Sequence, residues 1–461
     1  MARGRKLFLL LVGGVLLAAA AFALMQPIRQ ARELSRLAQG LRSSNPQTRL
    51  AVVQQLSGMK GEEPVTLLVS AVADGDEHVR SAVQGALAAS GSAAIGPLAA
   101  ALQRPDPATR LAAAQALGAT RVPGAVRPLV IALHGSDELT RMDAAEALGR
   151  TAQAEAVDPL VASLSDPSTL VRARAAEALG RLKDARAVEP LIRALSDADS
   201  YVRVSAAAAL GEFGDPRAIG PLVANLGDCE ITVVGEEDFS VTCWAAESLA
   251  KYGAPAVGPL VHALRDARVS TAAAYGLGKI GTPAVKALVA ALGDPDPHVQ
   301  GGAAFALGQM RARAAVEPLL AVAQQGGSAR HNVVRALGRI GGARAVPVLA
   351  GMLRDREGRL RKVAARALVD IGDRDGIMAL KEADPAIVAE LCSLIIQKGL
   401  PGTEAMLISS FQKAPNLRMA ERFIESGNQQ LESVAWKWVG KQKDLRLVPV
   451  PGTPTRWGNK P

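Results

Sequence analysis

Aromatic residues make up only 3% of this 461-residue chain, although apolar residues as a whole reach 49%. That imbalance excludes a core built from large ring clusters and points to closely stacked helices filled with Ala, Leu and Val. Histidine is scarce, with five residues (His78, His134, His262, His298 and His331). No Ser/His/Asp arrangement or pair of acids stands out from the background, so the sequence offers no catalytic residues. Cysteine is limited to Cys229, Cys243 and Cys392. The chain is longer than one ordinary core needs, which leaves several domains or a repeat array.

The formal charge is +9 and the sequence pI about 9.7. The charge is spread along the chain, and many arginines recur at a fixed interval, so nucleic acid is not an expected partner. The exception is the end of the chain, where Lys437, Lys441, Lys443, Arg446, Arg456 and Lys460 face one acid, Asp444. A solvated end and a membrane-surface contact are both open there.

The chain opens MARGRKLFLLLVGGVLLAAAAFALMQPIRQAR. Arg3, Arg5 and Lys6 precede nineteen apolar residues, Leu7 to Met25, a run that nearly spans a bilayer's hydrocarbon core. Residues 1–26 are expected to be a signal anchor, with the basic flank in the cytoplasm and the rest exported, and 27–44 a linker helix. The alternative is a signal peptide cleaved at Ala23, since Ala21-Phe22-Ala23 fits a signal-peptidase site. Both readings place the bulk of the protein on the extracytoplasmic (periplasmic) side, and the missing twin arginine favours the general secretory route.

From residue 45 the chain repeats. The Leu of an Ala-Leu-Gly-like triplet recurs at 56, 87, 117, 148, 179, 210, 249, 277, 307, 337 and 368, with spacings of 28 to 31 apart from one of 39. Only an internal repeat gives that rhythm. Each unit reads as two helices. The first carries Pro-Leu-Val, as at Pro128 and Pro159, with proline in the opening turn where its missing N–H costs nothing. After an Asp-containing turn, the second helix is expected to stop at a glycine, Gly118, Gly149 or Gly180, suited to a left-handed cap.

This pattern resembles the HEAT-like repeats of the phycobilin-lyase type over residues 45–375. The resemblance implies an all-α, right-handed α-solenoid of about eleven helix pairs, with the second helices lining the concave face and burying a continuous core. That family includes bilin lyases, a di-iron hydroxylase and many scaffolds. None of the five histidines is followed by glutamate, so the His-Glu pairs through which the hydroxylase binds metal are missing. His78 and His298 share a register but stand seven repeats apart, too far to meet on one ion. Gly276 to Gly281, GLGKIG, matches a dinucleotide fingerprint but ends a helix, so it lacks the strand-to-helix geometry that cradles pyrophosphate.

Seven residues before the repeat Leu stand Arg80, Arg110, Arg141, Arg172, Arg203, Arg330 and Arg361, and the preceding turns carry Asp76, Asp106, Asp137, Asp166 and Asp197. A structural Asp–Arg ladder between neighbouring repeats is the expectation.

The rhythm breaks in the middle. Thr242, Ser270 and Gln300 replace the arginine, and about eight residues are inserted near 228–241. The insertion reads as a β-hairpin, with CEITVV returning as FSVTC, and it brings Cys229 and Cys243 close enough for a disulfide. Cys392, in an apolar helical run, reads as inert core. Every aromatic between 45 and 375 lies between 201 and 305. Phe213 and Tyr252 occupy a core register, whereas Trp244, Tyr275 and Phe305 fall at positions that other repeats fill with polar residues. An exposed patch of those three is therefore expected. Beyond 375 the rhythm fades into a degenerate helical cap (376–444) containing Trp436 and Trp438, then an extended, mobile tail (445–461).

The sequence thus reads as a non-enzymatic, membrane-anchored scaffold with no cofactor and no metal. It is expected to bind a protein through Trp244, Tyr275 and Phe305, with Glu236, Glu237 and Asp238 favouring a basic partner. The alternative is an enzyme or enzyme subunit resembling the lyases or, less favoured, a metal-dependent hydroxylase.

Overall fold

A computed structural model describes residues 25, 29–234, 238–400, 402–442, 445–448 and 456–459. The apolar run before Met25 lies outside the described residues. Among those described, no helix is long and apolar enough to cross a membrane. The chain divides after Phe213 into two compact units, each a stack of antiparallel helix pairs.

In the first unit, helix α1 (29–40) precedes α2 (Pro46–Ser57) and α3 (Glu62–Ser70), followed by four pairs whose second helices are α4 (Glu77–Ser90), α6 (Pro107–Thr120), α8 (Glu138–Thr151) and α10 (Thr169–Leu182). Helix α3 is the first helix of the α4 pair, the short first helices α5 (Ile95–Ala101), α7 (Val126–Leu133) and α9 (Val157–Ser163) precede the other three, and α11 (Val188–Ala194) with α12 (Ser200–Phe213) closes the unit. The turn residues start these helices. Asp76, Asp106 and Asp137 each accept backbone N–H bonds from the first turn of the helix that follows, which satisfies donors that have no partner inside the helix.

Second helices pack on one another along a row of alanines. Ala113, Ala144, Ala145, Ala175, Ala176 and Ala206 are fully buried. The glycine of each triplet belongs to this row, which corrects the expected left-handed cap. Helices α6, α8 and α10 run two residues past Gly118, Gly149 and Gly180. The left-handed residues are Arg121, Ala152 and Lys183, with φ near 54–56°. What the glycines supply is proximity. A Cβ on Gly149 would lie 2.7 Å from Ala178 Cα, and one on Gly180 would lie 2.9 Å from Ala209 Cα.

The ladder is present, with its members reassigned in part. Arg141 pairs with Asp166 at 2.9 Å, Arg172 with Asp197 at 2.8 Å and Arg110 with Asp137 at 3.1 Å. Each of these arginines also donates to carbonyls of its own turn, as Arg172 does to Asp166 O and Pro167 O. Every rung therefore ties one turn to the next repeat. Arg80 and Arg203 donate to the carbonyls of Asp74 and Asp197. Asp76 and Asp106, expected in the acidic column, cap helices instead, and Asp74 takes the rung of Arg49 at 2.7 Å. Arg49 stands seven residues before Leu56 and so shares the register.

Asp143, two residues after Arg141 in α8, has its carboxyl pushed up to about 6, first by burial and then by the charges of Glu146 and Asp137. A folded pKa above the unfolded one favours the fold while the group is protonated. That advantage is lost as pH rises from the ordinary carboxylate range through about 6. Asp143→Asn is expected to raise stability by about 1 kcal/mol at pH 7.5, after allowance for solvent screening, and to change little at pH 4. Thermal melts at the two pH values check this.

The second unit continues with α13 (Ile219–Ala224), a hairpin of β1 (Glu230–Val234) and β2 (Asp238–Thr242), then α14 (Trp244–Tyr252), α15 (Ala254–Ala263), α16 (Ser270–Ile280) and α17 (Val285–Ala291). Two further pairs follow, α18 (Pro297–Gln309) with α19 (Val316–Gln325), and α20 (Arg330–Ile340) with α21 (Val346–Met352). The regular repeats end with α22 (Gly358–Ile371) and the short α23 (Arg374–Ala379). Here Arg330 bonds Asp355 at 2.9 Å, and Arg361 donates to the carbonyls of Asp355 and Arg356. Tyr252 is buried, as its register implies, while Phe213 at the end of the first unit is half-buried.

Helices α24 (Pro385–Lys398), α25 (Thr403–Lys413), α26 (Leu417–Ile424) and α27 (Gln429–Val439) complete the second unit. Phe411 and Phe423 are buried there with ring centroids 5.3 Å apart, and Trp438 meets Phe411 edge-on at 5.5 Å. Trp436, in the same helix, is 46% exposed. Cys392 is fully buried, and burial pushes its thiol up to about 12, as suits an inert core residue. Within the tail expected to be extended and mobile, β3 (Leu445–Val448) pairs antiparallel with β4 (Arg456–Asn459), the alternating Leu-Arg-Leu-Val suiting a strand, and the rest of the tail lies outside the described residues.

Candidate functional site

The hairpin forms as its β-branched segments imply, with Glu230 opposite Thr242 and Val234 opposite Asp238. Cys229 and Cys243 flank the first pair and are joined in a disulfide, their Cα atoms 4.5 Å apart. Cys243 also caps α14, since its sulfur accepts from Ala246 N at 3.3 Å. The bridge thus fastens the hairpin to the start of a second helix, whose first residue is Trp244. Glu236 and Glu237 lie outside the described residues, and Asp238 opens β2.

Three consecutive second helices carry the three aromatics, and they differ in exposure. Trp244 is 48% exposed. Tyr275 is half-buried: its hydroxyl donates to Glu247 Oε1 at 3.3 Å, and the Lys279 ammonium stands 5.2 Å from its ring centre. Phe305 is only 8% exposed, which corrects the expectation that all three are open. The Arg339 guanidinium, one helix on, lies 5.9 Å from the Phe305 ring and covers it, a favourable arrangement of a cation over a π face.

Phe305 is one wall of a cavity of about 480 Å³ between α16, α18 and α20. Ser270, Thr271, His298, Ser328 and Asn332 supply its polar lining. The cavity lies where the arginine column lapses, because Ser270 lacks the long side chain that reaches across to the next turn in the first unit. Two adjacent glycines in α18 widen it. A Cβ on Gly301 would meet the Asn332 amide nitrogen at 2.9 Å, and one on Gly302 would meet Leu264 at 2.7 Å. Hydroxyls, an amide, an imidazole and a ring edge can hold a partly polar side chain by hydrogen bonding and stacking. No group of three or more potential metal ligands occurs among the described residues. The lapse in the arginine column was visible in the sequence. The cavity was not, because its volume depends on Gly301 and Gly302, which in sequence read as ordinary small residues of the repeat.

Stacked helix pairs joined by short turns, with the second helices packed on one another, define an α-solenoid repeat protein. The chain belongs to the HEAT-repeat family: the HEAT repeats model matches residues 34–104, 95–179, 157–237, 259–329 and 325–390. No curated protein matches the chain. Among solved structures, it is similar to the karyopherin Kap121p bound to the extreme C-terminus of the protein phosphatase Cdc14p, with a TM-score of 0.52 and 12% identity. That match covers 88% of this chain and 53% of Kap121p, so the chain spans about half the length of that solenoid. Human deoxyhypusine hydroxylase matches at 24% identity over 60% of this chain and 95% of its own, with a TM-score of 0.25. The complex of CpcE and CpcF of phycocyanin lyase from Nostoc sp. PCC7120 matches at 25% identity over 56% and 93%, also with a TM-score of 0.25.

Proposed function

We propose that this chain is a non-enzymatic HEAT-repeat scaffold, anchored in a membrane by its N-terminal apolar segment, that binds a protein partner on the extracytoplasmic side. The observation that carries the reading is that the second unit, where the ladder side chains are missing, carries both an exposed Trp244 at the start of α14 and a cavity walled by Phe305 between α16, α18 and α20. Exposed tryptophans and sockets for a partner's side chain are recurrent parts of interface hot spots. The Cys229–Cys243 bridge supports an oxidising compartment, and Leu7 to Met25 behind Arg3, Arg5 and Lys6 supports the anchor. Glu236, Glu237 and Asp238 at the hairpin favour a basic segment in the partner. Kap121p, a solenoid of similar fold, holds the end of another protein, which supports the scaffold reading.

The test is cross-linked capture from membranes. Trp244→Ala, and separately Ser270→Arg to put a long side chain at the cavity lining, are each expected to reduce capture of one defined partner at least tenfold, with helical content and melting temperature retained. An unchanged partner list for both variants would overturn the proposal.

A further inference from the structure

The position nine residues before the repeat Leu is polar or small in most repeats, being His78 and Ala108 early in the first unit and Arg268, His298, Ser328 and Arg359 in the second. In three consecutive second helices it is large and apolar instead: Leu139 in α8, Leu170 in α10 and Tyr201 in α12. These side chains are 50%, 42% and 40% exposed. Single exposed apolar residues are ordinary on a protein surface, but three at one level of adjacent helices make a row. Side-chain bonds tie the three helices together around it. The Ser168 hydroxyl, at the N-cap of α10, donates to Glu138, the neighbour of Leu139, and the Tyr201 hydroxyl donates to Glu177 of α10 at 3.3 Å.

One turn on from Leu139, on the same face of α8, stands Asp143. It is half-buried, and no described side chain makes a hydrogen bond or an ion pair with its carboxylate. The arginines whose charges reach it are committed to other acids, Arg110 to Asp137 at 3.1 Å and Arg174 to Glu177 at 2.8 Å. Burial and the charges of Glu146 and Asp137 outweigh those two arginines, so at neutral pH this carboxylate costs the fold stability. A charge that the fold leaves unpaired, beside apolar side chains that it leaves uncovered, is complementary to a partner carrying both a cation and an apolar face.

The spacing selects the shape of that partner. Neighbouring packed helices lie about 8–10 Å apart. Residues seven apart in an α-helix share a face and are separated by about 10.5 Å, which matches. An extended strand covers about 10 Å in three residues, and that odd step turns the side chain to the opposite face. A polyproline II segment repeats at about 9 Å, but such segments dock in grooves lined by aromatics, and two of the three side chains here are leucine.

We propose that Leu139, Leu170 and Tyr201, with the Asp143 carboxylate beside them, are a docking surface for an amphipathic helix of another protein, which lays apolar residues seven apart on the row and a lysine or arginine on Asp143. The surface lies in the first unit and stands apart from the Trp244 and Phe305 site.

Fluorescence anisotropy of the full chain with a labelled, blocked helical peptide tests this. The peptide carries leucine at every seventh position and lysine on the flanking positions, and is compared with a version bearing glutamate for lysine and with a proline-rich peptide. The lysine peptide is expected to bind at least tenfold more tightly than either. Leu139→Ser with Leu170→Ser, both exposed and compatible with folding, should weaken it at least tenfold. Asp143→Asn should weaken the lysine peptide at least fivefold without lowering the melting temperature, which separates loss of contact from loss of fold. Capture of the chain by phosphatidylcholine vesicles should be the same with and without the leucine substitutions. Absence of peptide binding, binding indifferent to the leucine pair and to Asp143→Asn, preference for the proline-rich peptide, or vesicle capture that falls with the leucine pair would each overturn the proposal.

Discussion

Gly149→Val is expected to lower the stability of the first unit by about 3 kcal/mol, the upper end of the usual cost of overpacking. The added Cβ would come within 2.7 Å of both the Cα and the Cβ of Ala178, and the Cα cannot rotate away as the tip of a side chain can. Relief requires α8 and α10 to separate, which opens the buried alanine row on both sides of the contact. Gly85→Ala is the matched control. Gly85 is an exposed helical residue with nothing within 4 Å of its added Cβ, so alanine there should stabilise by about 0.8 kcal/mol through helix propensity. Urea denaturation followed by circular dichroism compares the two. If Gly149→Val shifted the midpoint no more than Gly85→Ala does, close approach of the second helices would not be what that glycine provides.

That contrast marks what the sequence could and could not reveal. The repeat period, the helix pairs, the arginine column and the stapled hairpin were all legible, because each is written in the spacing of residues along one segment. The glycine was misread as a cap because its reason lies on the next helix, at Ala178, some thirty residues away. Phe305 was misread for a similar cause. Its register faces solvent where the side chain is Gln or Glu, but a ring can be covered by a cation from the following repeat, here Arg339. Features that depend on one repeat meeting another are the ones a linear reading loses.

The ladder offers the second large effect. Arg172 makes four hydrogen bonds: Nε and Nη2 to the two oxygens of Asp197 at 2.8 and 2.9 Å, and Nη1 to the carbonyls of Asp166 and Pro167 at 3.0 and 3.3 Å. Both side chains of the pair are largely buried, at 16% and 14% exposure. Arg172→Ala removes all four bonds and leaves the Asp197 carboxylate without its fork in a site poorly reached by water. A loss of about 3 kcal/mol is expected, against less than 1 kcal/mol for an exposed pair such as Arg344–Glu317. Asp197→Ala, and the double variant with Arg172→Ala, complete a cycle whose coupling term isolates the rung from the carbonyl bonds. The hydrogen bond from Arg172 holds the Asp197 carboxyl below the usual carboxylate range, so the pair's contribution is fully present at neutral pH and is lost as pH falls through that range and below it. Coupling measured at pH 7 should therefore be near 2 kcal/mol and should vanish in strong acid. A coupling that did not change with pH would mean that the rung acts through packing of the arginine stem and not through its charge.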